Sequence, residues 1–332
     1  MIRAAYKPKV SIVMCFCKEP LQWIRLSVES ILDQTFRDFE LILICDNPEY
    51  EEGIAYANAA SQKDSRITLY VNDRNIGPTR SFNKAIALSE GMYIARMDAD
   101  DICLPERFER QVAYLDSNPH ISVCATDAHI IDRDGNIIRR NRYRRNRDQA
   151  LLVISNVIAH PSVMMRRSLL GLRDPLYNES YIYSQDYELW QYLTLKGHRI
   201  HTLEEPLLLY RKSDSQISSA GRRKQKELFK EIHRRFITGW LLDRGIICQE
   251  DTSDLHKMLE KCSREYDRIS GEDRRYLDHI IYVLYFSLGT YDWRYRFRYL
   301  ADRNLTVFRI RFIFTFRLFF SRKTRLERTG FI

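Results

Sequence analysis

The chain has 332 residues, 45% of them hydrophobic and 29% charged, with 12 Gly and 9 Pro, which suits folded domains and excludes collagen-like, mucin-like and linker-dominated chains. Its net charge of +9 is uneven: residues 221–332 hold 25 Lys and Arg against 15 Asp and Glu, leaving 28 against 29 for residues 1–220. A near-neutral body with a basic region behind it calls for an anionic partner, either a membrane surface or nucleic acid.

In chain order, VSIVMCF (10–16) is an apolar run suited to a buried strand, and Leu21, Ile24, Val28, Ile31 and Leu32 follow at helical spacing. The alternation continues with a strand at 40–45 (ELILIC), a helix through 55–62, a strand at 66–71 (RITLYV) and a helix at 81–88. A strand at 92–97 (MYIARM), a helix at 105–115 and a strand at 121–126 (ISVCAT) complete it. Strands alternating with helices predict a mostly parallel, doubly wound α/β sheet. Past residue 126 the pattern is mixed: a turn at Asp134-Gly135-Asn136, an Arg-rich stretch, HPSVMM (160–165), a helix at 184–196 and LLLYR (207–211). A shift to long charged helical patterns near residue 220 divides an α/β domain over 1–220 from a helical, basic region over 221–332.

Seven scattered Cys and no secretory leader predict a reducing, cytoplasmic setting without a disulfide framework. Cys15 and Cys17 lack C-x-x-C spacing and lie in an apolar run, so they read as packing residues. No period of about 20 to 50 residues recurs, which removes repeat architectures.

In doubly wound sheets the ligand sits beyond the carboxyl ends of the strands. Those ends are acidic here: Asp46 follows the second strand, and Asp98-Ala99-Asp100-Asp101 follows the fourth. Neither G-x-G-x-x-G after the first strand nor G-x-x-x-x-G-K-[ST] occurs, which excludes the usual dehydrogenase and P-loop phosphate cradles. Alternate residues of an extended segment point the same way, so Asp98 and Asp100 can converge on a hard cation such as Mn²⁺ or Mg²⁺. The alternative is that this acidic run caps the next helix, with Asp101 best placed for it. Asp46 either accepts hydrogen bonds from a base or ribose, or closes an Asx turn with Asn47-Pro48.

Asp186 shares a helix face with Trp190 and Leu193, so it is either an inward acid/base group or a first-turn carboxylate on the helix dipole, and Glu188 lies on another face. Arg139, Arg140, Arg142, Arg144, Arg145 and Arg147 crowd nine positions, as a solvated loop or as a cradle for an acceptor's diphosphate. His160, before Pro161, reads as a core histidine or a substrate contact. Residues 305–331 mix Phe, Ile and Leu with Arg and contain no apolar run long enough to span a bilayer. They suit the plane of an anionic membrane surface, with a core helix as the alternative. No nucleic-acid module accompanies the charge, so no nucleic-acid partner is expected.

Several blocks stand together in order: SVESILDQTFRDFELILICDN (27–47), NIGPTRSFNKAIALSEGMYIARMDADDICLPERFERQ (75–111), HPSVMMRRSLL (160–170), SQDYELWQYLTLKG (184–197) and LLLYR (207–211). With them the first 220 residues resemble family 2 glycosyltransferases of the GT-A fold, of the bacterial cell-surface polysaccharide and lipopolysaccharide kind. The resemblance implies a metal-assisted, inverting hexosyltransferase acting at the inner face of the membrane, with a UDP-sugar donor and a glycolipid or oligosaccharide acceptor. It assigns Asp46 to the uracil, Asp98 and Asp100 to the DxD pair around ribose, metal and diphosphate with Asp100 in contact with the metal, and Asp186 to the general base. Three places depart from the pattern. Cys15-Phe16-Cys17 and Cys45 replace commoner residues beside the nucleotide, and Ser213 stands where a metal-assisting His is frequent. The alternatives are a sugar nucleotidyltransferase, which would want a Gly-rich basic loop after the first strand, and an inactive sugar-nucleotide-binding scaffold at the membrane.

Overall fold

The computed structural model describes residues 7–141, 149–212 and 222–291. Chain contacts divide it into two units: Met1–Arg147, Val157–Leu189 and Gly197–Ser219 form the first, and Asp148–Asn156, Trp190–Lys196 and Ala220–Ile332 form the second.

The first unit is built on one nine-stranded sheet. Its elements run β1 (Val10–Phe16), α1 (Leu21–Leu32), β2 (Phe39–Cys45), α2 (Glu51–Lys63), β3 (Ile67–Val71), α3 (Pro78–Leu88), β4 (Tyr93–Asp98), β5 (Ile102–Cys103), α4 (Arg107–Ser117), β6 (Ile121–Ile131), β7 (Ile137–Asn141), β8 (Met164–Arg166), α5 (Gln185–Leu195) and β9 (Arg199–Arg211). The helix α5 continues past Leu189 into the second unit. The sheet order is β3-β2-β1-β4-β8-β6-β9-β5, with β7 against β6. The β3-β2-β1-β4 half is parallel; β8 runs antiparallel to both β4 and β6, and β9 returns parallel to β6.

These elements follow from where the apolar residues fall. In β1 and β2 nearly every side chain is buried, as a parallel strand covered on both faces requires. α1 buries Trp23, Ile24, Ser27, Val28 and Ile31 along one stripe. α3 begins at Gly77, whose φ of +87° suits glycine, and Pro78 fills the first helical turn, where its missing N–H costs nothing. Two strands outrun their apolar signals. β6 extends five residues past Thr126 through buried Asp127, and β9 starts eight residues before Leu207, because their long mutual ladder satisfies polar positions that periodicity alone leaves as loop.

The second unit's described helices are α6 (Arg222–Asp243), α7 (Leu255–Glu265) and α8 (Gly271–Tyr291). Its core joins Phe236, Trp240, Leu241, Met258, Leu259, Leu277, Ile280 and Ile281 with Ala150 and Val153. Asp254 caps α7 by accepting the amides of His256 and Lys257. Trp240 stacks on Tyr276 at 5.9 Å. Residues 305–331 lie outside the described residues.

The turn into β4 requires a glycine. The Gly91 amide donates to Ser11 Oγ at 2.7 Å, and Ser11 Oγ donates to Glu40 Oε1 at 2.5 Å. A Cβ on Gly91 would stand 2.5 Å from the Ser11 nitrogen and 2.8 Å from the Val10 carbonyl carbon, both backbone. Gly91→Ala is therefore expected to cost about 1–3 kcal/mol, the range for overpacking. Gly171→Ala, whose Cβ meets nothing within 4 Å, should stay within about 0.5 kcal/mol of the parent. Urea unfolding of both variants checks the pair.

Candidate active site

The parallel order places β1 between β2 and β4, so the carboxyl ends of these strands form the switch-point edge of the sheet. In register, Cys15 stands beside Asp98 on one side and Ile44 on the other.

Asp46, 4% exposed, organises the second of these ends. Its Oδ1 accepts from Asn72 Nδ2 at 2.8 Å and from the Ile76 amide at 2.9 Å, and its Oδ2 accepts from the Gly77 amide at 2.9 Å. A carboxylate offers about four lone-pair sites, which leaves one on Oδ2. The Asx turn belongs to Asn47, whose Oδ1 accepts the Glu49 amide at 3.1 Å. Cys17 Sγ lies 3.2 Å from Asn75 Nδ2, and Cys45 Sγ donates to the Asn47 carbonyl at 3.1 Å. Burial pushes the thiols of Cys15, Cys17 and Cys45 up, so they are held protonated as small packing groups.

After β4 the three carboxylates of Asp98, Asp100 and Asp101 come within 4.8 Å of one another. Asp101 is fully buried: Oδ1 accepts the Arg211 amide at 2.8 Å, and among the described residues Oδ2 has no hydrogen-bond partner. It caps no helix, since α4 begins at Arg107 behind Glu106 without a side-chain cap. Burial first, then the charges of Asp100 and Asp98, hold the Asp101 carboxyl well above the usual range. The segment is tied down from several elements. Ser27 Oγ of α1 donates to the Asp98 carbonyl at 3.2 Å, Ser30 Oγ accepts the Cys103 amide at 3.0 Å, and Arg211 Nε donates to the Asp100 carbonyl at 2.8 Å.

Asp186 lies half-buried in the first turn of α5. Its charge is felt by Arg96 and by Tyr177, and Arg96 pairs with Asp98 at 2.9 Å, so the candidate base and the acidic loop share one electrostatic neighbourhood. Glu188 has a different task. It is 2% exposed and takes both arms of Arg173 at 2.9 Å, a bidentate pair. His160 Nε2 lies 2.8 Å from the Tyr177 hydroxyl, and burial followed by the charge of Arg96 holds the imidazole neutral.

Of the six clustered arginines, Arg139 and Arg140 are described; both are exposed on β7. Arg140 donates to the Glu204 carbonyl at 2.6 Å and lies 3.8 Å from buried Asp127. Arg142, Arg144, Arg145, Arg147 and Ser213 lie outside the described residues. The sequence reading passed over Arg96, Arg211, Tyr177 and Asn72. The signal for the two arginines is present: each sits in an apolar strand, MYIARM or LLLYR, where a buried guanidinium requires a partner.

Removing Arg173 would leave Glu188 buried without its counter-charge. Arg173→Met is expected to lower stability by about 3 kcal/mol, read by urea unfolding, whereas a loss under about 1 kcal/mol would mean the pair holds nothing.

The family model "Glycosyl transferase family 2" matches residues 11–171, which include Asp46 and the acidic loop. The glycosyltransferase MJ1057 of Methanocaldococcus jannaschii is 36% identical over 214 residues, 64% of this chain and 73% of its own. The O-antigen biosynthesis glycosyltransferase WbnJ of Escherichia coli is 31% identical over 194 residues, 57% of this chain and 74% of its own. Among solved structures, S. aureus TarS 1–349 in complex with UDP-GlcNAc superposes with a TM-score of 0.57 at 15% identity, over 93% of this chain and 86% of that one. The likeness shows a shared GT-A fold. Sheet order, acidic strand ends, the matched family model and a relative 36% identical over 73% of its own length converge, and the chain belongs to glycosyltransferase family 2.

Proposed function

We propose that this protein is an inverting hexosyltransferase that moves a sugar from a UDP-linked donor to a hydroxyl of a glycolipid or polysaccharide precursor in cell-surface glycan synthesis. The observation that carries the reading is the cluster of Asp98, Asp100 and Asp101 at the carboxyl end of β4. The O-antigen role of WbnJ and the UDP-GlcNAc complex of TarS support the substrate class.

The residues fit a hard divalent cation, Mn²⁺ or Mg²⁺. Three carboxyls converge, and the buried Oδ2 of Asp101, whose proton affinity is raised by burial and then by the charges of Asp100 and Asp98, meets no donor among the described residues, so the site is short of positive charge. Asp100 and Asp98 would hold the ion, which when bound supplies charge to the departing diphosphate. Asp46, through its remaining lone pair, would accept a base N–H, with Asn72 and the Ile76 and Gly77 amides fixing its carboxylate. Asp186 would take the proton of the acceptor hydroxyl as that oxygen bonds to the anomeric carbon and the sugar–diphosphate bond breaks. One displacement inverts the anomeric centre. Residues 305–331 would bring the enzyme to the cytoplasmic face of an anionic membrane, and the Arg139 to Arg147 stretch would meet phosphate on the acceptor. No described helix is long and apolar enough to cross a membrane.

Release of UDP from a panel of UDP-sugars with Mn²⁺ tests the reading. The parent should turn over at least one donor. No release would favour a scaffold, and pyrophosphate-dependent exchange would favour a nucleotidyltransferase. Asp186→Asn should keep donor binding and lose about two or more orders of magnitude in transfer to acceptor. Transfer at the parent rate would place the base elsewhere.

A further inference from the structure

Arg96 is an unusual residue for the middle of an apolar strand. It lies two positions before Asp98 on β4, on the same side of the strand, and is 6% exposed. Its Nε and one terminal nitrogen both reach Oδ1 of Asp98 at 2.9 Å. Among the described residues no donor reaches Oδ2 of the same carboxylate. The guanidinium lies over the Phe82 ring, 3.4 Å from its centroid, and its charge acts on the Tyr177 hydroxyl. That hydroxyl meets His160 Nε2 at 2.8 Å. The strand around Arg96 is fixed as well: its amide donates to the Val163 carbonyl at 3.0 Å, and its carbonyl accepts from buried Arg107 at 2.7 Å.

Burying a cation requires compensation, and this one takes it from a carboxylate of the acidic loop. If Arg96 served the core alone, a residue away from the site would compensate it equally well. Here the fork is spent on one oxygen of Asp98, which orients the carboxylate and leaves the other oxygen to the site. The Tyr177 hydroxyl can donate to His160 Nε2, whose imidazole burial and the charge of Arg96 keep neutral. Asp186 acts on the same guanidinium and the same hydroxyl.

We propose that Arg96 is a positioning residue that acts through Asp98: it fixes the carboxylate's orientation toward the donor. The inference rests on the donor reading above and goes beyond it by assigning the orientation of Asp98 to a buried residue two positions before it.

A double-mutant cycle of Arg96→Met and Asp98→Asn tests it, with UDP affinity in Mn²⁺ measured by calorimetry on the full chain. Arg96→Met alone should weaken UDP at least tenfold, while adding it to Asp98→Asn should weaken binding less than threefold further. Arg96→Lys should recover part of the loss, and Arg96→Met should raise the donor KM by a larger factor than it lowers kcat. Thermal melts establish folding. If Arg96→Met does not fold, Arg96→Lys carries the same cycle, with a smaller loss that must again vanish beside Asp98→Asn. Equal losses in both backgrounds, or parent-like affinity in the single variant, overturn the inference. A parent that binds no UDP removes the donor reading and this inference with it, whereas a parent that binds UDP while the cycle is additive removes the inference alone.

Discussion

The structure depends on holding negative charge together at the end of one strand. The carboxyls of Asp98, Asp100 and Asp101 lie within 4.8 Å of one another, and burial followed by the charges of Asp100 and Asp98 holds the Asp101 carboxyl well above the usual range, which relieves part of the repulsion. The loop persists because buried arginines surround it. Arg96 neutralises Asp98 from beneath, Arg107 holds the Arg96 carbonyl, and Arg211 donates to the Asp100 carbonyl while its amide serves Asp101. A cluster so arranged is stable as protein, and on the reading proposed above it would also attract a cation beside a diphosphate.

The topology supplies these arginines from distant points in the chain. β4 carries Arg96, the first turn of α4 carries Arg107, and β9 ends on Arg211 after running the length of β6. Arg211 also donates to the carbonyls of Asp132 and Arg133 and lies 4.9 Å from the Trp23 ring, so one side chain joins the acidic loop, the β6–β7 turn and α1. Small shifts in any of these elements would reach the carboxylates. Opposite them, Asp46 spends its carboxylate on the turn into α3, so the neighbouring strand end is organised by hydrogen bonds rather than by ion pairs.

Much of the parallel half was legible because burial on both faces leaves nothing but apolar side chains in β1 and β2, and helical spacing in α1 is equally plain. The carboxylates at the strand ends were legible for the same reason, since charge stands out after an apolar run. What sequence spacing left out is the network that positions them. A helix cap was the alternative for Asp101, but its oxygen answers an amide 110 positions away, a partner no local pattern contains. Glu188 and Asp186 differ by two residues and are alike in type, yet Glu188 is paired with Arg173 while the charge of Asp186 acts on Arg96. In sequence β6 reads short because Asp127 and His129 interrupt its apolar pattern, and β9 because Glu204 and Glu205 interrupt its own, while the ladder between the strands carries on through Asp127 and His129.

The central claim is that the acidic loop after β4 is where a cation and a nucleotide meet. Calorimetric titration of UDP into the full chain, with and without Mn²⁺ and in the parent and Asp100→Ala, tests it most directly. The account predicts binding that requires the metal in the parent and disappears in the variant while the thermal melt is retained. Equal UDP affinity in parent and variant, or affinity that ignores the metal, would contradict it.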